Sequence, residues 1–218
     1  MIVAHEVTNE GSDRRQMANM AKQAKSALEA EELSVVADRG YYRGEEILDC
    51  DQANIKTYLP KPNTSPNRAK GQFDRSAFVY IPEDDEYECP AGQRLVHHMT
   101  VQQQGKTIHA YWTAKCRVCP IKSQCTSGVH RKMTRWEHEE VLEKAQARLD
   151  RSPDAMRIRR ATVEHPFGTL KAWMGSTHFL MKRLKNVRTE MSLHVLAYNL
   201  RRMISIMGVM PLIEAIRA

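Results

Sequence analysis

The alternation of strand-like and helix-like segments in the first 60 residues constrains the fold of this chain more than any other feature. Short apolar runs with strand composition occupy residues 2 to 8, 33 to 37 and 55 to 59. Between them, residues 17 to 28 and 43 to 51 carry apolar side chains at helical spacing. Strands that alternate with helices imply right-handed crossovers and a sheet covered by helices. The sequence therefore predicts an α/β fold.

An aspartate follows the central one of these apolar runs. Asp38 comes directly after residues 33 to 37 and precedes Arg39 and Gly40. Because open α/β sheets place ligands and catalytic groups at the carboxyl ends of their strands, Asp38 is a candidate site residue. The alternative is that its carboxylate caps the turn that begins at Arg39 and Gly40.

The positive charge of the chain is concentrated in its C-terminal part. The whole sequence has 33 Lys and Arg against 26 Asp and Glu, a net charge of +7. Residues 1 to 130 hold 16 basic and 17 acidic side chains, whereas residues 131 to 218 hold 17 and 9. A concentrated basic face attracts phosphate backbones, because each neutralised phosphate releases a counterion. Nucleic acid is therefore the first partner to consider, and a solvated helical face is the alternative.

One acidic residue stands within the most basic part of the chain. Residues 152 to 174 read as a helix that starts at a Ser-Pro pair, and Arg160, Glu164 and Lys171 share one face of it. Gly168 lies on the same face and would let a substrate backbone come close. A DNA-facing surface avoids a carboxylate unless that carboxylate holds a cation, so Glu164 is a candidate metal ligand. The alternative is an intrahelical salt bridge between Glu164 and Arg160.

Asp38 and Glu164 together predict a site for divalent cations. Magnesium or manganese needs oxygen ligands and keeps much of its shell for water and phosphate oxygens. Two such ions can activate the attacking water and stabilise the leaving oxygen of a phosphodiester. Arg160 and Lys171 would hold the neighbouring phosphates. The other predicted DNA contacts are Arg157, Lys182, Arg183 and Lys185.

Four of the five cysteines are grouped in one segment with the spacing Cys-x26-Cys-x2-Cys-x5-Cys. They are Cys89, Cys116, Cys119 and Cys125. Four thiolates can close a tetrahedral shell, and a Cys-x2-Cys turn presents two sulfurs to one ion, so the spacing favours a structural zinc site. The alternative is that some of these cysteines are ordinary reduced thiols. A histidine could then replace a weak ligand of the metal, and the candidates are His97, His98, His109 and His130. Cys50 lies outside the group and is interpreted as a packing residue.

The remaining patterns are mostly helical. Strands are predicted at residues 78 to 81 and 107 to 112, and helices at 134 to 149 and 190 to 207. Gly208 is the expected end of the last helix. One stripe of that helix is apolar and consists of Leu193, Leu196, Leu200, Met203 and Met207. The methionines of the helix are interpreted as core. The chain begins without a secretory signal, and no apolar run approaches the roughly 20 residues of a membrane span, so we expect a cytoplasmic protein without a membrane partner.

Two of these segments resemble a known family. Residues 37 to 41, Ala-Asp-Arg-Gly-Tyr, and the set of Arg160, Glu164 and Lys171 are similar to the second-Asp segment and the Glu signature of DDE transposases from bacterial insertion sequences. The cysteine-rich segment resembles the subgroup with cysteines between those motifs. The resemblance implies an RNase H-like mixed sheet with flanking helices and a zinc-ribbon-like insertion. It also implies two divalent cations that support DNA strand cleavage and transfer. The DNA partners would be the ends of the element and the target.

The chain also departs from the family pattern. Arg157 stands where the family signature has a Tyr, and the first catalytic Asp has no counterpart, because Asp13 lies in a turn. We therefore expect the C-terminal part of a transposase, inactive alone and dependent on an upstream fragment or a homodimer. The expected division is residues 1 to 84 as partial core, 85 to 130 as the cysteine-rich insertion, and 131 to 218 as the helical part.

Two other functions remain open at this point. The first is a non-catalytic, zinc-containing DNA-binding protein derived from such a transposase. The second is a stand-alone RNase H-like nuclease, which would need a third carboxylate from Glu6 or Asp13. In each case the protein would be found with the nucleoid when it is bound to DNA.

Overall fold

The chain forms two compact units in the computed structural model, which describes residues 1–62 and 65–217. One unit comprises Met1–Lys61 and Val141–Ala218, and the other comprises Pro62–Glu140. Residues 63, 64 and 218 lie outside the described residues. Of the predicted division, residues 85 to 130 fall inside the second unit, which extends further in both directions.

The first unit contains most of the predicted helix and strand alternation. Its elements in this part are α1 (Met17–Ala27), β1 (Leu33–Val36), α2 (Gly44–Gln52) and β2 (Ile55–Tyr58). The two strands are parallel, and Leu33 pairs with Ile55. The completely buried side chains of Ile47 and Cys50 on α2 pack in this core, so the packing interpretation of Cys50 is confirmed.

The predicted first strand, residues 2 to 8, is wrong. This segment has no strand pairing in the structure. Its backbone instead bonds to side chains of the C-terminal helices: the Ile2 amide donates to Asn199 Oδ1 at 2.8 Å, and Asn199 Nδ2 donates to the Ile2 carbonyl at 2.7 Å. Arg188 Nε donates to the Val7 carbonyl at 2.9 Å. Side-chain amide and guanidinium groups thus satisfy backbone groups that a sheet neighbour would otherwise satisfy.

Four helices complete the C-terminal part: α3 (Glu139–Asp150), α4 (Ala155–Gly168), α5 (Leu184–Met207) and α6 (Val209–Arg217). A π-helical turn, Thr169–Trp173, directly follows α4. Gly208 ends α5 with a positive φ of 85°, as predicted. The start predicted for the helix at 134 is wrong, because residues 133 to 136 pair as a strand instead.

The apolar stripe of α5, whose methionines we interpret as core from the sequence, is mostly exposed. Leu193, Leu196, Leu200 and Met207 are exposed, and Met203 is half-buried. The buried side chains of this helix are Glu190, Val195 and Tyr198. The helix was predicted from the right periodicity, but the packed face is the other one.

The second unit is built around an antiparallel five-stranded meander. Its strands follow one another in the sheet in chain order: β3 (Val79–Ile81), β4 (Glu86–Glu88), β5 (Arg94–Gln103), β6 (Lys106–Trp112) and β7 (Met133–Trp136). A register shift between His97 and Met99 marks a bulge in β5. The core consists of Phe78, Tyr87, Leu95, Tyr111 and Met133.

A carboxylate joins two tyrosines of this unit. Asp85 Oδ1 accepts from the hydroxyls of Tyr80 at 2.8 Å and Tyr111 at 2.7 Å. Burial opposes the charge of Asp85, but the hydrogen bonds from Tyr111 and Tyr80 outweigh it and lower the pKa of Asp85. Burial, followed by the hydrogen bond to Asp85, raises the pKa of Tyr80 to about 12.

The architecture is mixed α/β. The parallel pair of β1 and β2 and the antiparallel meander form separate sheets among the described residues. In the described part of the chain, no helix is both long enough and apolar enough to cross a membrane.

Candidate functional site

Asp38 lies just beyond the carboxyl end of β1. The Ala37 amide still donates to the Tyr58 carbonyl of β2 at 3.0 Å, so the sheet continues up to the aspartate. Asp38 Oδ1 then accepts from the Gly40 amide at 2.8 Å and caps a 3₁₀ turn, Arg39–Tyr41. A Cβ at Gly40 would lie only 2.9 Å from this oxygen, which explains the glycine. The capping interpretation of Asp38 is therefore confirmed.

The second carboxylate oxygen of Asp38 is bound by a residue that the sequence did not single out. Arg159 Nη2 on α4 lies 2.8 Å from Asp38 Oδ2. The Arg159 side chain is largely buried, whereas that of Asp38 is about half exposed. Burial, followed by the charges of Asp13 and Asp38, raises the pKa of the neighbouring Tyr41. The predicted catalytic aspartate is thus already neutralised by a guanidinium.

The side of α4 that meets Asp38 is not the side that carries Glu164. The inward side includes Ala155, Arg159 and Val163, which are more buried than their neighbours. Glu164 follows Arg159 by five residues, which corresponds to about 140° around a helix, and it is exposed. The expectation that Asp38 and Glu164 bind the same metal ions therefore stays a prediction. Ala155, Arg159 and Val163 follow one another at intervals of four residues on the inward side of α4. The contact between Arg159 and Asp38 could have been predicted from this spacing.

The Arg160, Glu164 and Lys171 set lies on the solvent side. All three residues are exposed, and among the described residues none of them forms an ion pair. The salt bridge between Glu164 and Arg160, which was the alternative, is not formed in this part of the chain. A Cβ at Gly168 would have nothing within 4 Å, so the surface around it is open.

A cavity of about 480 Å³ has Gly168 in its lining. It is lined by residues of α4, the π-helical turn and α5, including His165, Trp173 and Tyr198. The Arg201 guanidinium lies 5.7 Å from the centre of the exposed Trp173 ring. Pro166 lacks an amide hydrogen within α4, and the helix widens into the π-helical turn three residues later. No pattern in the sequence marks this cavity.

The basic residues Lys182, Arg183 and Lys185 are exposed at the start of α5. Arg183 has a positive φ of 71°, which is uncommon for a residue with a side chain. A cavity of about 480 Å³ lies here, lined in part by Lys182 and Arg183. Arg157 has a different environment, because its Nε contacts Asp154 Oδ1 at 3.1 Å on α4.

Glu190 holds the segment before α5 in place. Its two carboxylate oxygens accept from the backbone amides of Leu180 and Met181, both at 2.9 Å. These two backbone hydrogen bonds lower the pKa of Glu190, with a smaller contribution from His194. Because Lys182 and Arg183 follow directly, this buried glutamate positions the basic segment, a role that the sequence did not reveal.

The four grouped cysteines line one small apolar cavity of about 20 Å³ in the second unit. Cys89 begins a tight turn in which its amide donates to the Gln93 carbonyl at 3.0 Å. Burial raises the pKa of the Cys125 thiol, Arg131 lowers it, and the other three thiols raise it further. All four are free thiols. Among the described residues, no group of three or more His, Cys, Asp or Glu side chains is arranged to hold a metal ion.

The histidines considered as substitute ligands have other contacts. The His98 ring stacks on Trp112 at 4.0 Å between ring centres, and His130 stacks on the same indole at 5.2 Å. His97 Nε2 and His109 Nδ1 contact the Thr100 hydroxyl at 3.0 and 2.9 Å. None of the four lines the cysteine cavity, so the cysteines remain the candidate ligands.

Comparison with known protein families gives one match. Residues 88–204, more than half of the chain, match the family described as "Transposase DDE domain". The matched range contains the four grouped cysteines and the exposed Arg160, Glu164 and Lys171 set, whereas Asp38 precedes it. Neither the curated proteins nor the solved structures compared with the chain gave a significant match. The chain belongs to the transposase DDE domain family.

Proposed function

We propose that this chain takes part in cutting and joining DNA strands during transposition of a bacterial insertion sequence, with an RNase H-like arrangement of its catalytic part. The observation that carries the proposal is the family match, which includes Arg160, Glu164 and Lys171. These three residues are exposed on α4 and the π-helical turn after it. A phosphate backbone can therefore approach two cations and one carboxylate together.

Two divalent cations, magnesium or manganese, fit the chemistry of Asp38 and Glu164. Both side chains offer hard oxygen donors. The Arg159 guanidinium would have to leave Asp38 Oδ2 before an ion could bind that oxygen. When bound, such ions supply Lewis-acid activation of water and stabilise the leaving oxygen. The chain's own Arg160 and Lys171 would position the phosphates, and open space at Gly168 would admit the DNA backbone.

Binding to duplex DNA at constant ionic strength tests the role of Glu164. An unneutralised carboxylate repels phosphate, so magnesium should raise the affinity of the wild type several-fold relative to potassium alone. Glu164→Gln should bind equally well in both buffers. Glu214→Gln, which removes an exposed acid on α6, is the matched control and should keep the wild-type response. Equal magnesium responses in all three proteins would refute the proposed role.

We expect the 218 residues alone not to cleave DNA. Asp38 is held by Arg159 and Gly40, and Glu164 lies on another side of α4. Residues of one catalytic unit lose activity together when their geometry is broken. Nicking of supercoiled plasmid in magnesium is the measurement. Robust nicking that Asp38→Ala abolishes would contradict the expected inactivity while supporting the transposase chemistry.

The basic residues at the start of α5 are proposed DNA contacts together with Arg157. Lys182, Arg183 and Lys185 are exposed, and the α5 N-terminus adds a partial positive charge. Replacing these three by alanine should reduce the slope of log affinity against log salt concentration by about one for each phosphate that is no longer neutralised.

A matched control replaces three exposed basic residues of the charge-balanced N-terminal part: Arg14, Arg15 and Lys22. This variant loses the same formal charge. We expect its salt dependence to stay close to that of the wild type. If both triple variants lose affinity equally, the binding is a response to net charge, and the segment at α5 is not a specific contact.

We also propose a structural zinc ion bound by Cys89, Cys116, Cys119 and Cys125. Support comes from the four thiols lining one cavity with apolar walls, since thiolates are the ligands that structural zinc prefers. Binding would draw the sulfurs inward and release their protons. Protein purified without added metal should contain one zinc per chain, and Cys119→Ser should lose it. Cys50→Ala is the control that keeps it, and a wild type that neither contains nor takes up zinc contradicts the proposal.

The second candidate function is a non-catalytic, zinc-containing DNA-binding protein derived from a transposase. The observation that favours it is the pairing of Asp38 with Arg159, which occupies a carboxylate needed for catalysis. In this case Glu164→Gln leaves DNA binding unchanged in magnesium, while zinc removal destroys it. Under either function, we expect the protein in the cytoplasm and on the nucleoid, with a second copy of the chain as protein partner.

A further inference from the structure

An exposed tryptophan stands directly after the helix that carries Glu164. Trp173, in the π-helical turn after α4, is 76% exposed. Tryptophan is highly buried on average in folded proteins, so an indole that remains this open is unusual. Among the described residues, its ring contact is with the Arg201 guanidinium, 5.7 Å from the ring centre. Most of the indole is therefore free to contact a ligand.

The backbone of the π-helical turn explains why this side chain is exposed. The Met174 amide donates to the Thr169 carbonyl at 3.0 Å, five residues earlier instead of the four of an α-helix. In an α-helix, residues three apart share a face, and Trp173 would lie with the buried Leu170. The wider turn separates the two side chains. Turns of this kind are frequent at functional sites.

Trp173 lines the cavity of about 480 Å³ between α4 and α5, which we name the Trp173 cavity. Its lining includes Gly168, Trp173, Tyr198, Arg201 and Arg202. Tyr198 is 4% exposed and forms a buried wall, whereas a Cβ at Gly168 would meet nothing within 4 Å. The volume is within the range of sites for small ligands. The cavity is thus open on the side of α4 and closed by the α5 core.

The Trp173 cavity is positively charged. Arg201 and Arg202 belong to its lining, which contains no Asp or Glu within the described part of the chain. Neither arginine forms an ion pair with another of the described residues. A guanidinium that has no carboxylate partner is a strong donor to phosphate oxygens. The cavity therefore favours an anionic ligand.

An open indole and two guanidinium groups around one cavity fit a ligand that combines a flat ring with a phosphate. We propose that the Trp173 cavity binds a nucleotide, with its base stacked on Trp173 and its phosphate held by Arg201 and Arg202. Every base has a π-face that stacks on an aromatic side chain, so the site accepts all four bases. The nucleotide belongs to an unpaired stretch of DNA, which rests on the proposed function, or it is free in solution.

The position of the cavity favours the first of these sources. Gly168 follows Glu164 by one turn of α4, so the two residues are neighbours on the helix surface. A strand with a base on Trp173 would pass close to Glu164. Unpaired nucleotides next to a cleaved phosphodiester would then be held by stacking, independently of their sequence.

Duplexes with different single-stranded tails test the site. One duplex is blunt, one has a short thymidine tail, and one has an abasic tail with the same phosphates but no bases. The wild type should bind the thymidine tail at least about fivefold more tightly than the abasic tail. Trp173→Ala should remove this preference, and Trp173→Phe should keep part of it. Phe167→Ala replaces an exposed aromatic residue of α4 outside the cavity and should keep the full preference.

The two arginines have a separate test, because both tails carry phosphates. Arg201→Gln combined with Arg202→Gln should weaken the binding of the thymidine and abasic tails by the same factor. Arg14→Gln combined with Arg15→Gln removes the same charge at exposed positions outside the cavity and is the matched control. Equal losses in the two double variants would remove the phosphate from the proposed site.

Deoxythymidine monophosphate distinguishes the two sources of the nucleotide. If it quenches tryptophan fluorescence in the wild type but not in Trp173→Phe, and displaces the thymidine tail, the site takes a free nucleotide. If it does neither while the tail preference holds, the site takes a nucleotide of a strand. Either result supports the nucleotide site.

Three results would overturn the nucleotide site. They are equal binding of both tails by the wild type without quenching by the free nucleotide, a tail preference that survives Trp173→Ala, and a Phe167→Ala variant that loses it equally. Binding of the blunt duplex keeps this outcome apart from the proposed function, because that binding does not need the cavity. If Trp173→Ala does not fold, Trp173→Gln replaces it as a more polar variant at this exposed position.

Discussion

The unit of residues 62 to 140 and the C-terminal helices use their apolar residues in opposite ways. In the five-stranded meander, Leu95 and Tyr111 are completely buried by strands that are close in sequence. In α5 and α6, leucines, isoleucines and methionines remain exposed over much of their surface. A meander of hairpins lets consecutive segments cover one another, because each strand pairs with the next. A long helix presents a second face that its own neighbours in the chain do not reach.

Loss of a meander core side chain should have the largest effect on stability. Leu95→Ala opens a cavity at a position with no solvent exposure, so we expect a loss of about 3 kcal/mol in unfolding free energy. Leu180→Ala, at a leucine that is 81% exposed before α5, is the control and should change it by less than about 0.5 kcal/mol. Urea unfolding measures both. Similar losses would mean that the two regions do not differ as described.

Removal of one hydroxyl should have a smaller, pH-dependent effect on the meander. Tyr111→Phe deletes one of the two hydrogen bonds to Asp85 and should cost about 1 kcal/mol at neutral pH. These bonds lower the pKa of Asp85 in the folded state. The stabilisation is therefore present above the pKa of an unfolded aspartate and is lost as pH falls through the lower folded pKa.

The measurement is the unfolding free energy of the wild type and of Tyr111→Phe at a series of pH values from neutral to acid. The two curves should converge at the acid end. Tyr58→Phe, on β2 in the other unit, is a control for hydroxyl removal. If the difference in unfolding free energy between the wild type and Tyr111→Phe grows as the pH falls, the hydrogen bond to ionised Asp85 is not its cause.

Replacement of Glu190 should loosen the basic segment without unfolding the chain. Glu190→Gln can accept only one of the two amides, so hydrogen exchange at Leu180 and Met181 should become several-fold faster. Because the pKa of Glu190 is lowered in the folded state, its contribution is present above the pKa of an unfolded glutamate. It is lost as pH falls through the folded pKa. The variant and wild type should therefore exchange alike in acid, and Glu214→Gln should behave as wild type throughout.

The smallest effect on stability is expected for the ion pair at Asp38. Arg159→Ala removes a partner from a half-exposed carboxylate, so the unfolding free energy should change by less than about 1 kcal/mol. Manganese binding, measured by the paramagnetic effect on water relaxation, should become tighter in this variant. Arg160→Ala, at an exposed arginine that forms no ion pair within the described residues, should leave manganese binding unchanged. Tighter binding in neither variant would argue against Asp38 as a ligand.

Sequence periodicity predicted most elements, and its errors have identifiable causes. The segments of α1, β1, α2 and β2 were found because their apolar repeats are regular and Pro60 and Gly40 punctuate them. Residues 2 to 8 have strand composition, yet Asn199 and Arg188 satisfy part of their backbone. Such long-range side-chain contacts leave no mark in the local pattern.

The candidate site shows the same division. The position of Asp38 after a strand and the shared side of Arg160, Glu164 and Lys171 follow from strand order and helical spacing. The contact between Arg159 and Asp38, 121 residues apart, depends on how α4 is turned against the sheet. The four cysteines were grouped by spacing, but their common cavity required the folded unit.

The amino-acid sequence alone determined the order of elements, the basic character of the C-terminal part and the family signature, because these depend on neighbours in the chain. Tertiary structure alone decided which face of α5 is buried and which residue of α4 meets Asp38. A helix with apolar residues on two sides has two possible packings, and the periodicity of its sequence does not choose between them. That choice is made by the free energy of contacts with residues far away in the chain.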